Sequence, residues 1–118
     1  MSPLKARGTL KKNSDFRRLY NKGKSAVTPF LVVYCRRNRG GANRLGYTVS
    51  TKLGHAVVRN RVRRRLREIY RLNREHMVPG YDVIVVARTR AAAAPYRRLE
   101  REYLSLLNKL ELSREERP

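Results

Sequence analysis

Acidic residues are scarce in this 118-residue chain: nine Asp and Glu stand against 29 Lys and Arg, a formal net charge of +20 and a pI near 11.4. A folded chain repels itself at that charge, so the imbalance points to a strongly anionic partner, nucleic acid first and an acidic membrane second. Long apolar runs are also lacking. No segment approaches the ~18 consecutive apolar residues of a spanning helix, and no apolar stretch follows the basic N-terminus as it does in a secretory signal. There is one cysteine, Cys35, which cannot form an internal disulfide and reads as a small buried residue in a reducing compartment, the cytoplasm. The two histidines, His55 and His76, have no cysteines at zinc spacing, and no carboxylate pair stands out. No catalytic constellation, and no metal or cofactor held by the protein itself, is therefore expected. Internal repeats and low-complexity linkers are missing too. The length suits a single domain, 1–118, with an ordered part from about residue 9 to 112.

What is present alternates between helix and strand signals. In "NSDFRRLYNKG", Phe16, Leu19 and Tyr20 share one helical side; Asn13 or Ser14 can cap the start and Gly23 the end. "TPFLVVYCR" reads as a strand whose alternation groups Phe30, Val32 and Tyr34 against Leu31, Val33 and Cys35. After the turn residues "RNRGGAN", "RLGYTVS" reads as its hairpin partner. "YDVIVVA" is an almost unbroken apolar run, the mark of a central strand buried on both faces. Pro95 then opens a helix with Tyr96, Leu99, Tyr103, Leu106, Leu107 and Leu110 as its apolar stripe, and "SREERP" reads as a frayed tail. A further short strand is allowed before Thr28 or near Thr9. The order predicts an α+β sandwich with helices packed on a small sheet.

Between Gly54 and Pro79 lies "AVVRNRVRRRLREIYR", with seven arginines and one acid. At about 100° per residue, Val58, Val62, Leu66, Ile69, Tyr70 and Leu72 gather on one stripe. Asn60, Arg63, Arg64, Arg67, Arg71 and Arg74 fall opposite, Arg59 and Arg61 flank the borders, and Arg65 projects near the apolar edge. Arg59, Arg63, Arg67 and Arg71 succeed one another at i,i+4, where like charges cost a few tenths of a kcal/mol each. Such a ladder argues for a partner that supplies the negative charge, and arginine suits bidentate phosphate contacts. Asn60 could reach a base edge or a 2′-hydroxyl. The helix folds with one face and offers the other.

These segments resemble the protein subunit of bacterial ribonuclease P. The likeness rests on "LGHAVVRNRVRRRLR", where Ala56, Arg59, Asn60, Val62, Arg64, Leu66 and Arg67 fall on the family's RNR pattern. It is joined by "LKKNSDFRRLYNKGKS", "LGYTVSTKLG" and "YDVIVVAR" in the family's order. The resemblance implies a single-domain α/β sandwich with a small mixed sheet in the order αβββαβα and a left-handed βαβ crossover, against the usual handedness. It implies partnership with the catalytic RNA of a ribonucleoprotein endoribonuclease that removes the 5′ leader of precursor tRNA. The RNA is the catalyst and requires Mg2+, and neither a membrane nor an obligate protein partner is involved. Catalytic-RNA binding would fall to Lys52, Arg59, Asn60, Arg61, Arg63, Arg64, Arg67 and Arg71. The leader would lie in a cleft of Phe16, Arg17, Tyr20, Lys24, Phe30, Tyr34 and Arg88, Phe30 being added because it alternates with Tyr34. Two departures touch the loop before the helix: His55 where many members have Asn, and Thr51 where a basic residue is frequent.

By pattern alone the aromatics could equally be core, and Lys52 an ordinary exposed lysine. A small basic ribosomal protein is the alternative function, but its usual long basic extensions are absent from this sequence. A DNA-binding regulator lacks support because no compact helix-turn-helix spacing precedes the basic helix.

Overall fold

The computed structural model describes residues 9, 10 and 12–114. It contains helix α1 (Asn13–Lys22), strands β1 (Lys24–Val27), β2 (Leu31–Arg37) and β3 (Arg44–Val49), helix α2 (Ala56–Asn73), strand β4 (Tyr81–Ala87) and helix α3 (Tyr96–Lys109), with short 3-10 turns at Thr51–Leu53, Arg74–His76 and Thr89–Ala93. This is the expected order αβββαβα. The optional short strand before Thr28 is β1, and Thr9 adds a single parallel bridge to Leu45. Among the described residues no helix is long and apolar enough to cross a membrane.

The sheet runs β1-β2-β4-β3. β4 pairs antiparallel with β2 (Val33↔Val85) and parallel with β3 (Leu45↔Val83), so α2 is the crossover between parallel neighbours. The predicted β2–β3 hairpin does not form. The apolar run of β4 has the most to gain from burial on both faces and takes the centre, leaving β2 to form its hairpin with β1. Residues 38–43 then span the width of the intervening strand. Asn38 helps fix them, donating from Nδ2 to Ala42 O and to the Asp82 carboxylate.

Alternation divides the side chains between two cores. Leu31, Val33, Cys35, Val83 and Val85 face α2 and α3, where Val62, Leu66, Ile69, Leu99, Tyr103 and Leu106 close the main core. Each such large side chain contributes about 1.5–3 kcal/mol relative to exposure. Ile84 faces the other way with Leu10 and Leu19, and Phe16, Tyr34 and Val86 pack around them. α1 therefore covers one sheet face only in part, while α2 and α3 cover the other.

Several local expectations change. α1 starts with Lys12 as N-cap and no side-chain cap from Asn13 or Ser14; the amides of Asp15 and Phe16 bond instead to Lys12 O. Gly23 does end α1, but with a negative φ. It is needed because a Cβ would lie 2.7 Å from Leu19 O and 2.8 Å from Cys35 O. Leu72, expected in the apolar stripe, is 52% exposed in the last turn of α2. In the expected tail, Ser113 bridges to Met77 and the Arg114 amide bonds to His76 O. Residues 115–118 of that tail, like the N-terminal residues 1–8 read for a signal, lie outside the described residues.

Candidate nucleic-acid interface

The few acids of the described residues are largely committed to scaffold contacts, which decides which cations stay available. Arg44 donates bidentately to buried Asp82 at 2.9 and 2.7 Å and lies 3.9 Å from Asp15; the hydrogen bond to Asp82 raises the pKa of Arg44 further. Glu68 takes Arg71 at 2.7 Å, which holds its carboxyl below the usual range, and Glu102 takes Arg98 at 2.9 Å. Glu100 accepts from Asn73. Among the described residues, no carboxylate lies within ion-pair distance of Arg59, Arg63, Arg64 or Arg67.

The outer face of α2 thus carries cations at helical spacing. Asn60, Arg64 and Arg67 are exposed, and Arg63 is half-buried and donates to Asn60 Oδ1 at 3.2 Å. Arg71 is exposed but shares its charge with Glu68. At the start of the helix, Arg59 Nε donates to Gly54 O at 3.1 Å. Lys52 is exposed in the preceding turn, where its amide bonds to Ser50 Oγ. His55 occupies the N-cap without a side-chain cap bond.

Two arginines turn the other way. Arg61 donates to Ala92 O at 3.3 Å with its Nε buried and unpartnered, and Arg65 donates to Ala94 O at 3.0 Å. Both tie α2 to the turn after β4. Arg61, expected among the catalytic-RNA-binding residues, is therefore turned away from the free face, because its border position meets that turn rather than solvent. The misfit of Arg65 at the apolar edge has the same explanation.

A second candidate surface lies on the α1 side of the sheet. Phe16 packs over Gly46 of β3, where a Cβ would sit 2.7 Å from its ring. Its ring meets Tyr20 edge-on at 6.4 Å, and Tyr20 meets Tyr34 edge-on at 4.8 Å. Tyr20 is 41% exposed, its hydroxyl 3.0 Å from Thr48 Oγ1. Beside this row opens a groove of about 600 Å3 whose floor is Val32, Tyr34 and Val86, with Ser25 and Val27 on one side and Arg88 at its end. Arg88 is exposed, with Nη1 donating to Thr28 O at 3.1 Å. Arg17 is exposed on α1, one turn before Tyr20. Apolar floor, aromatic flank and cationic end suit unstacked bases on a tracked backbone.

Two residues expected here are elsewhere. Phe30 precedes β2 in a tight turn: Thr28 N–H bonds to Leu31 O, and Thr28 Oγ1 accepts from the amides of Phe30 and Leu31. The turn breaks the alternation and delivers Phe30 to the main core, with the guanidiniums of Arg90 and Arg98 over its ring at 5.1 and 4.7 Å. Lys24 pairs with Cys35, so it shares the face of Cys35 and lies with Arg36, Arg37 and Tyr81. Burial raises the Cys35 thiol pKa, partly opposed by Lys24. The sequence does not single out Val32 and Val86 as groove residues, although alternation from Tyr34 and Ile84 places both, and Thr48 enters only as the partner of the Tyr20 hydroxyl.

No three His, Cys, Asp or Glu converge among the described residues. Asp15 and Asp82, which share Arg44, are engaged in the scaffold.

A family model described as Ribonuclease P matches residues 4–111. The ribonuclease P protein component of Alkaliphilus oremlandii is 46% identical over 109 residues, covering 92% of this chain and 96% of that protein. That of Natranaerobius thermophilus is 45% identical over 104 residues, covering 88% and 90%. Among solved structures, the Staphylococcus aureus RNase P protein superposes with a TM-score of 0.82 at 34% identity, covering 90% of this chain and 96% of that one. The Thermotoga maritima RNase P protein gives 0.79 at 30% identity, covering 86% and 96%.

Proposed function

The chain belongs to the ribonuclease P protein family, and on that premise we propose a division of labour between its two open surfaces. It is a protein component of the endoribonuclease that matures the 5′ end of tRNA, and its partner is the ribonuclease P RNA.

The outer face of α2, with Asn60, Arg63, Arg64, Arg67 and Arg71, docks on that RNA; Lys52 and Arg59 extend it at the start of the helix. The carrying observation is the row of guanidiniums at i,i+4 spacing, most of them with no carboxylate within ion-pair distance among the described residues. A helix holds these side chains at fixed intervals, and an RNA backbone supplies the phosphates that offset their mutual repulsion. The groove over Tyr34 takes the single-stranded 5′ leader of precursor tRNA. Bases there would stack on Tyr20 and Tyr34, with phosphates near Arg17 and Arg88.

Hydrolysis of the phosphodiester belongs to the RNA and its Mg2+ ions on this reading. The chain's own residues bind and orient: α2 fixes the protein on the catalyst, and the groove holds the leader beside the scissile bond. By adding cations, the protein lowers the metal concentration at which the substrate binds. Reconstitution with ribonuclease P RNA tests this. At low magnesium the protein should raise precursor-tRNA cleavage well above that of RNA alone; an unchanged rate would refute the assignment.

A further inference from the structure

The open surface does not end at Arg88. Three shallow grooves follow one another around the end of the sheet and share border residues. The groove over Tyr34 reaches Val27, Arg88 and Thr89. A second, of about 560 Å3, carries those three residues on to Thr28, Pro29 and Arg90. A third, of about 600 Å3, starts at Arg90 and passes over Phe30 to Arg97, Arg98 and Arg101 at the start of α3.

The third groove has its own chemistry. Arg90 and Arg98 lie over the Phe30 ring at 5.1 and 4.7 Å, within cation–π distance of it. Glu102 neutralises Arg98 in part at 2.9 Å. Arg90, Arg97 and Arg101 have no carboxylate within ion-pair distance among the described residues, and Arg97 and Arg101 repeat the like-charge i,i+4 spacing of α2. Arg90, Arg97, Arg98 and Arg101 are all exposed.

We propose that this surface extends the single-strand track. The leader of a precursor tRNA, after crossing the sheet groove, passes Arg88 and Arg90 and lays its distal phosphates on Arg97, Arg98 and Arg101. Its distal bases meet the guanidiniums held on Phe30. The inference rests on the reading of the sheet groove as the leader site. Continuity through Arg88 and Arg90 selects the leader over the catalytic RNA as the occupant, since a strand leaving the first groove meets these arginines next.

The test uses holoenzyme assembled with the Arg97→Ala/Arg101→Ala variant, which leaves Arg90 and Arg98 on Phe30. Affinity is measured for leaderless tRNA, a precursor whose leader ends within the sheet groove, and one whose leader runs beyond Arg90. The long-leader precursor should bind about tenfold more weakly, and its salt slope should fall by ~1.4, as for two lost single-strand phosphate contacts. The other two ligands should be unchanged. Equal losses for all three ligands would move the patch to the tRNA body or the catalytic RNA, and no loss with the long leader would end the track at Arg88; either overturns the extension. Tyr34→Ala holoenzyme, run on the same series, reports on the premise separately. If it kept the full preference for the short-leader precursor over leaderless tRNA, the sheet-groove reading itself would fail.

Discussion

The outer face of α2 and the groove over Tyr34 are both open and both cationic, but they are built differently. One helix supplies the first, and its arginines are spaced by the helical repeat alone; Arg64 and Arg67 are exposed, with no carboxylate within ion-pair distance among the described residues. The second is assembled from α1 and every strand of the sheet. Its rings are held by neighbours: Phe16 on Gly46, Tyr20 on Thr48, and Tyr34 against Tyr20. A face of loosely held charges gives affinity that weakens with salt, whereas a groove of fixed rings gives contacts that depend on shape. The first suits attachment to the RNA and the second discrimination between substrates.

Loss of cations from α2 should have the largest effect. Arg63→Ala with Arg67→Ala should weaken ribonuclease P RNA binding about 10- to 100-fold and reduce the salt slope by ~1.8, as for two lost duplex phosphate contacts. A salt titration of binding reads both; an unchanged slope would place the RNA elsewhere. Next comes Tyr34→Ala. It should cut the holoenzyme's preference for precursor over leaderless tRNA about tenfold, within the ~1–3 kcal/mol of a stacked base, and leave catalytic-RNA affinity as it was. Arg65→Met sharpens the contrast within α2 itself. Losing the bond to Ala94 O should lower the unfolding free energy by about 1 kcal/mol, without changing the salt slope of RNA binding. Denaturant unfolding measures the first effect, and a slope change would return Arg65 to the RNA face.

The sequence reveals periodic features of this molecule well and contact-dependent ones poorly. The 3.6-residue repeat of α2 separates Val62, Leu66 and Ile69 from Arg63, Arg64 and Arg67, and the structure keeps that division. The apolar run of β4 marks a strand buried on both faces, as found. Its insertion between β2 and β3 is a pairing choice between distant segments, and no local pattern records it. Phe30 leaves the predicted face because the alternation begins only at Leu31, after the turn that Thr28 ties. Lys24 leaves the predicted cleft because its face depends on the register of β1, which sets it opposite Cys35. Arg61 and Arg65 sit at the border of a stripe, where the outcome depends on whether another element lies alongside. Here the carbonyls of Ala92 and Ala94 do.

The smallest expected effect is that of Tyr20→Phe, which keeps the ring and removes its bond to Thr48. With that bond exposed, precursor affinity should fall by no more than about 1 kcal/mol, and less than in Tyr34→Ala. A larger loss in precursor titrations would make the Tyr20 hydroxyl a direct leader contact.

The division of labour assigns the two surfaces to different ligands. Its most direct test is the precursor-to-leaderless affinity ratio of holoenzymes held at saturating ribonuclease P RNA, compared between Arg63→Ala/Arg67→Ala and Tyr34→Ala. The ratio should match that of the unmodified protein for the arginine pair and drop about tenfold for Tyr34→Ala. A ratio that fell with the arginine pair, or held with Tyr34→Ala, would contradict the division.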